Sequence, residues 1–182
     1  MDRMLQQAVG QATAIKFEIE FEDESYGFRP NRNAQKAVQK ALQYINEGYT
    51  YIVDIDLQSF FDEVDHSILL QLLYRKIKCK ATLRLIRKWL RAPISIEGRL
   101  YKRRKGVPQG SPLSPLLSNI MLHELDKELN RQGLRFVRYA DDCAPRTQTV
   151  TILFSGAAYK MRDGPSEPVC RHRLQTTLCC IN

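Results

Sequence analysis

Three carboxylates at the ends of two apolar runs constrain this chain more than any other feature. Residues 49–57 read Tyr-Thr-Tyr-Ile-Val-Asp-Ile-Asp-Leu, β-branched and aromatic with a period of two. The alternation predicts a strand with Tyr51, Val53, Ile55 and Leu57 on one face and Ile52, Asp54 and Asp56 on the other. A second run, residues 134–140, reads as a strand that delivers Asp141 and Asp142 to its tip. Two carboxylates about 4 Å apart repel by roughly 4 kcal/mol at an effective dielectric of 20. Strand-end acids brought together therefore invite a cation, and a hard divalent ion such as Mg²⁺ suits oxygen donors and brings phosphate groups with it. An isolated Asp-Asp pair is equally at home as a solvated turn, so the pair alone decides nothing.

Between these runs the pattern is helical. Ala34, Val38, Ala41, Leu42 and Ile45 recur at helical spacing, with Asn33 as N-cap and Gly48 past the end. Asp65 is placed to cap a second helix through Ile68, Leu69, Leu72 and Leu73. A basic third helix spans about residues 81–90 and ends before Pro93. Residues 94–100 look like a hairpin, and residues 106–115 form a loop rich in glycine, proline and serine. That loop closes on Ser114-Pro115, an N-cap followed by proline at the first helical position. The helix it opens carries Leu117, Ile120, Met121, Leu125 and Leu129 and stops at Gly133. After Cys143 the periodicity fails. One short strand is expected over residues 150–154, and residues 155–182 read as largely disordered.

Charge narrows the partner. The 182 residues hold 28 Lys and Arg against 20 Asp and Glu, a net +8, and 43% are hydrophobic, enough to bury a core without disulfides or a structural metal. The charge is uneven: residues 75–105 contain thirteen basic side chains against Glu97 alone, a local +12. Lys102, Arg103, Arg104 and Lys105 form its densest part, with no acid beside them in sequence, and favour contact with a nucleic-acid backbone over a solvated face. No apolar run approaches the roughly 20 residues a bilayer requires, and residues 1–4 lack a signal-peptide core, so no membrane partner is expected. Five cysteines without a C-x-x-C pair fit a reducing, cytoplasmic setting. Zinc ligation by Cys170, His172, Cys179 and Cys180 can be drawn, but the irregular spacing favours free thiols.

The segment Phe136-Val137-Arg138-Tyr139-Ala140-Asp141-Asp142 resembles the catalytic motif of reverse transcriptases. Three more blocks precede it in the order of the group II intron-encoded enzymes. They are Ser25-Tyr26-Gly27-Phe28-Arg29-Pro30, the Asp54 to Asp62 stretch Asp-Ile-Asp-Leu-Gln-Ser-Phe-Phe-Asp, and the Pro108 to Asn119 stretch Pro-Gln-Gly-Ser-Pro-Leu-Ser-Pro-Leu-Leu-Ser-Asn. Four ordered motifs over about residues 2–143 are far more specific than any one of them.

That resemblance implies an α+β fold: a right-hand polymerase palm, an antiparallel sheet packed on helices, with partial fingers and no thumb. It implies fingers and palm over residues 1–143 and a non-homologous tail over 144–182. The implied reaction is RNA-directed DNA synthesis, addition of deoxynucleoside triphosphates to a DNA primer 3′-hydroxyl on an RNA template, intron RNA in this family, with two Mg²⁺ ions. Asp56, Asp141 and Asp142 become the catalytic carboxylates. Asp56, the backbone carbonyl of Leu57 and Asp141 become metal ligands, and Asp142 the looser third acid. Phe61 would read the sugar and Gln109 would lie under the templating pair, while Gly110 would let nucleic acid approach the backbone.

Other positions stay open. Arg29 contacts the template or pairs with the acidic residues 22–24. Tyr139 packs under the primer end or fills core. Asp54 shares a face with Asp56, where a strand-end role fits better than ligation, because octahedral Mg²⁺ accepts few protein carboxylates. Two departures from the family matter. No triphosphate-holding fingers segment, primer grip or thumb is recognisable, and Ala144-Pro145-Arg146 stands where an apolar returning strand is expected. Since proline cannot donate to a sheet ladder, the Asp141-Asp142 hairpin is expected to lack its usual partner. The alternative reading is a non-catalytic, maturase-like RNA-binding remnant.

Overall fold

The computed structural model describes residues 2–49, 51–57, 59–147, 151–154, 157–160 and 169–174. In chain order the elements are α1 (Asp2–Glu18), α2 (Ala34–Asn46), β1 (Tyr51–Leu57), α3 (Phe60–Glu63), α4 (His66–Ile77), α5 (Lys80–Leu90), β2 (Ile94–Ile96) and β3 (Arg99–Tyr101). They continue with α6 (Ser114–Arg131), β4 (Arg135–Tyr139), β5 (Asp142–Thr147), β6 (Thr151–Phe154), β7 (Ala157–Lys160) and β8 (Val169–Leu174). The chain divides into two compact units, residues 1–21 with 59–123, and residues 22–58 with 124–182. The second half of α6 thus falls to the second unit.

The first unit is helical because its apolar residues recur every three to four positions. α4 buries Leu69, Leu72 and Leu73, and α5 buries Ile86, Trp89 and Leu90. Phe17, Phe21, Leu117, Ile120, Met121 and Leu122 complete the core. Asp65 caps α4 as its position predicts, accepting from the Ser67 and Ile68 amides at 2.7 and 3.0 Å. β2 and β3 form the expected hairpin, turning through Glu97 and Gly98, both at positive φ. Positive φ at both central residues is the type I′ pattern that matches strand twist.

The second unit is built on a four-stranded sheet in the order β4-β5-β1-β8, antiparallel except for the β1–β8 pair. α2 begins at Asn33, whose side chain accepts from the Lys36 amide. Its buried residues are Ala37 and Tyr44, while Val38, Leu42 and Ile45 of the sequence-derived stripe are exposed. The larger aromatic settles which face turns inward. Tyr44 packs with Tyr26 and Val137 and donates its hydroxyl to Glu24 at 3.1 Å. Burial, reinforced by Glu24, raises its phenol above the ordinary tyrosine range, so it remains a donor.

The centre of this unit is ionic. Arg138, in the middle of β4, is fully buried, as is its partner Asp126 on α6. Nε and Nη2 of Arg138 donate to the two Asp126 carboxylate oxygens at 2.7 and 2.6 Å. Nη2 also donates to the Ser25 hydroxyl at 2.7 Å, and Nη1 to the Ala140 carbonyl at 2.8 Å. The backbone repeats the link, with Tyr26 N–H donating to the Arg138 carbonyl and Arg138 N–H to the Glu24 carbonyl.

Two expectations change here. The returning strand exists: β5 pairs with β4 and, on its other side, with β1, although it contains Pro145 opposite Phe136. Proline withholds one donor, but the pairs on either side of it hold the ladder, so the hairpin does have a partner. The tail also carries strands. β6 forms where one was expected, and β7 and β8 lie in the stretch that reads as disordered, β8 alongside β1. Its remaining residues, and the Cys170, His172, Cys179 and Cys180 side chains of the drawn zinc site, lie outside the described residues.

Breaking the buried pair leaves an uncompensated charge, so Asp126→Asn should cost about 3–5 kcal/mol, read from urea denaturation. The double change Asp126→Leu with Arg138→Met should cost clearly less than Asp126→Asn alone.

Candidate nucleotidyl-transfer site

The Asp-Asp hairpin joins β4 to β5 through a two-residue turn. Tyr139 pairs with Asp142, leaving Ala140 and Asp141 as its two central residues. Ala140 adopts φ +58. Positive φ at the first central residue alone is the type II′ pattern. Arg138 Nη1 grips the Ala140 carbonyl from below, and Gly27 lies against the same residue. A Cβ on Gly27 would come within 2.2 Å of the Ala140 nitrogen, so only glycine fits there. The Ser25-Tyr26-Gly27 segment is thus the floor of the turn.

Beside it, β1 pairs Tyr51 with Thr147, Ile52 with Arg146 and Ile55 with Cys143. One step further along that register, the backbone of Asp56 faces Asp142. Asp141 is half-buried and Asp142 exposed. Leu57, the last residue of β1, is buried. The side chains of Asp54 and Asp56 lie outside the described residues. At this end of the sheet the described carboxylates are those of Asp141 and Asp142, oxygen donors of the kind hard divalent cations prefer, and among the described residues no group of three metal-ligating side chains converges.

The structure narrows two second-unit positions that the sequence leaves open. Arg29 is 8% exposed and donates through Nη1 to the carbonyls of Glu22 at 2.6 Å and Ser25 at 2.9 Å. It staples its own loop from inside, which removes it from the surface a template would touch. Tyr139 is 41% exposed and so is no core residue. The exposure of Tyr139 goes with its place at the end of β4, where Phe136, Val137 and Arg138 are buried and the two ends are open.

In the first unit, Phe61 and Gln109 sit on two segments clamped together. The Val107 amide donates to the Phe61 carbonyl at 2.7 Å and the Gly106 amide to the Val64 carbonyl at 2.8 Å. His66 adds a third tie, its Nε2 lying 2.7 Å from the Gly106 carbonyl. A carbonyl only accepts, so Nε2 carries the proton. Gly106 has φ +83, and a Cβ there would come within 2.7 Å of the Asp62 carbonyl. Phe60 is buried; Phe61, in edge contact with it, is only half-buried. Gln109 and Gly110 are exposed, and around Gly110, at φ +77, space is open.

Of the four clustered cations, Lys102, Arg104 and Lys105 are exposed and Arg103 half-buried. Lys105 does meet an acid, Glu63, at 3.3 Å, a partner forty-two positions away that sequence adjacency hides.

Comparison with known proteins fits this geometry. Residues 1–150 match the profile of the family described as reverse transcriptase (RNA-dependent DNA polymerase). The chain belongs to the reverse transcriptase family. It is 39% identical over 137 residues to the group II intron-encoded protein LtrA of Lactococcus lactis, covering 75% of this chain and 23% of that protein. It is 37% identical over 137 residues to the protein YkfC of Escherichia coli, covering 73% of this chain and 36% of the relative. The chain thus spans 23% and 36% of the length of these two relatives. A telomerase from Candida albicans, solved with a fragment of telomeric RNA, superposes with a TM-score of 0.61 at 18% identity, over 79% of this chain and 30% of that one. That likeness supports the α+β class and a partial polymerase palm.

Sequence reasoning missed Gly27, His66, Asp126 and the grip of Arg138 on the turn. The signal for Arg138 was present, since an arginine inside an apolar strand run must find a buried acid. Gly27→Ala should cost about 1–3 kcal/mol in thermal or urea unfolding, as overpacking does, without touching a carboxylate. Neutralising Lys102, Arg103, Arg104 and Lys105 together should lower the slope of log affinity for RNA against log salt by about 2, because Lys105 already faces Glu63 and Arg103 is half-buried. Filter binding over a salt series reads this.

Proposed function

We propose that this chain carries the catalytic half of an RNA-directed DNA polymerase of the group II intron type. The observation that supports the reading best is the β1–β5 register, which brings the backbone of Asp56 alongside the Asp141-Asp142 hairpin. In the proposed reaction a DNA primer 3′-hydroxyl attacks the α-phosphorus of a deoxynucleoside triphosphate paired to an RNA template, and pyrophosphate leaves. Asp56, the Leu57 carbonyl and Asp141 are the proposed ligands for two Mg²⁺ ions, and Asp142 is the outer carboxylate. Divalent ions held there would neutralise charge at the attacking and leaving oxygens, which is most of what phosphoryl transfer asks of a protein.

The remaining roles concern positioning. Half-buried Phe61 stacks against the incoming sugar and excludes a 2′-hydroxyl, and exposed Gln109 lies beneath the templating pair. Open space at Gly110 admits the strand. Within the Lys102, Arg103, Arg104 and Lys105 cluster, exposed Lys102 and Arg104 are the main proposed phosphate contacts, which read no sequence. We place the family fragment at residues 1–150, the matched span, rather than ending it at 143, with a non-homologous segment after it, and propose intron RNA as template and a cytoplasmic, reducing location.

The test is primer extension on an RNA template with Mg²⁺, using this chain and a chimera in which residues 2–147 replace the matching segment of a full-length relative. Asp56→Ala and Asp141→Ala should abolish extension in the chimera while leaving RNA binding intact or tighter, with a milder loss for Asp142→Ala. Extension that survives either of the first two changes would sink the assignment. A chimera that binds RNA but never extends a primer favours the non-catalytic, maturase-like reading.

A further inference from the structure

Outside the carboxylate site, the first unit has a groove between α4 and α5 with a cavity of about 440 Å³. Its walls are two helical stripes. Leu70 and Tyr74 come from α4, and Lys80, Leu83, Arg84 and Arg87 from α5. Positions three, four and seven apart on a helix share one face, so the three cations form a single row rising about 10 Å along α5. Tyr74 is 52% exposed, and Leu70 and Leu83 are half-buried. Lys80, Arg84 and Arg87 are all exposed, and none of them has an ion pair among the described residues. An apolar floor, an open aromatic ring and a row of unopposed cations are the parts of a single-strand nucleic-acid site: bases stack on the ring and phosphates follow the charges.

We propose that the α4–α5 groove binds an unpaired RNA segment, with a base stacked on Tyr74 and its phosphates on Lys80, Arg84 and Arg87. An acidic amphipathic helix would fit less well. Helix-in-groove docking needs a row of apolar anchor pockets, and the apolar side chains lining this groove are Leu70 and Leu83 alone beside the Tyr74 ring. A duplex fits less well too, since its bases are not free to stack on a side chain. RNA rather than DNA is the occupant because the family's template is RNA. The choice of RNA rests on the proposed reading, but the site needs no catalysis, so its binding test and primer extension can fail independently of each other.

The experiment is a binding titration of the full chain with a short oligouridylate, an oligothymidylate of equal length and an RNA duplex, over a salt series. Tyr74→Ala should weaken oligouridylate binding about 5- to 100-fold, the range of one base–aromatic stack, with the salt slope unchanged. Tyr74→Phe should keep the affinity, because the ring and not the hydroxyl does the stacking. Replacing Lys80, Arg84 and Arg87 together with Gln should instead lower the salt slope by about 2. Duplex binding should be nearly indifferent to Tyr74→Ala. Photocrosslinking of 5-iodouridine RNA should map to Tyr74. Unchanged oligouridylate affinity in Tyr74→Ala, equal losses on duplex and single strand, or tighter binding of the oligothymidylate would each overturn the proposal. So would an acidic amphipathic peptide that fills the groove without displacing RNA. Tyr74 is exposed, and circular dichroism of each variant should match the parent; a variant that loses its helical signal is replaced by Tyr74→Ser, to which the same criteria apply.

Discussion

The second unit depends on one ion pair. Arg138 and Asp126 are both inaccessible to water, and each would be untenable there alone. The guanidinium has five N–H donors in a fixed fork. Two go to Asp126, one reaches Ser25, and one holds the carbonyl of Ala140. A single side chain thereby ties a helix, a strand and the 22–30 loop to the turn that carries Asp141. A well-packed apolar substitute could match this in stability, since buried ion pairs are weak evidence for stability as such. It could not reproduce the directional grip on a turn carbonyl, and the position of the Asp141 backbone follows from that grip.

Glycine does the complementary work. Gly27 lets the 25–27 segment approach Ala140, and Gly106 lets the 106–107 segment approach the turn carrying Phe61. In both cases two backbones meet at a distance no Cβ permits, and hydrogen bonds then lock the contact. The four blocks that mark the family in sequence are therefore not four independent sites. Within the second unit the Tyr-Gly-Phe-Arg-Pro block supports the Asp-Asp hairpin. Within the first, the loop bearing Gln109 is fastened to the turn bearing Phe61, with His66 as the third tie.

Much of this was legible in the sequence, for stated reasons. Period-two alternation over residues 51–57 gives β1, and the acceptor side chains of Asn33 and Asp65 give two helix starts. The Glu97-Gly98 turn is local chemistry as well. What was not legible is whatever tertiary contact decides. Which face of α2 is buried depends on Tyr44 meeting Tyr26 and Val137, and neither the pattern of small aliphatics nor helix propensity records that. Pro145 is tolerated in β5 because β4 and β1 pair around it, a context its own propensity argues against. The carboxylate constellation was legible as three acids at strand ends, whereas the residues that aim them, Gly27, Asp126 and Ser25, carry no local signal of that role.

The same distinction governs the charge. A net +8 invites the view that every cation is available to phosphate, yet the structure divides them by partner. Arg138 and Arg29 are consumed inside the fold, the first on Asp126 and the second on the carbonyls of Glu22 and Ser25. Arg32 pairs with Asp23, Lys76 with Glu20, and Lys105 with Glu63. Burial lowers the pKa of Arg146, the cost of holding a guanidinium out of water. An ion released from phosphate on binding requires a cation that was not already neutralised, so the salt dependence of RNA binding counts a subset of the formal charge. Among the described residues that subset includes exposed cations of the first unit, on α5 and at Lys102 and Arg104, and Lys36 and Arg135 in the second. The strand-end acids of the second unit stand on other elements than these cations, and the proposed reaction, which needs both polyanionic strands and divalent metal, would benefit from keeping the two kinds of charge apart.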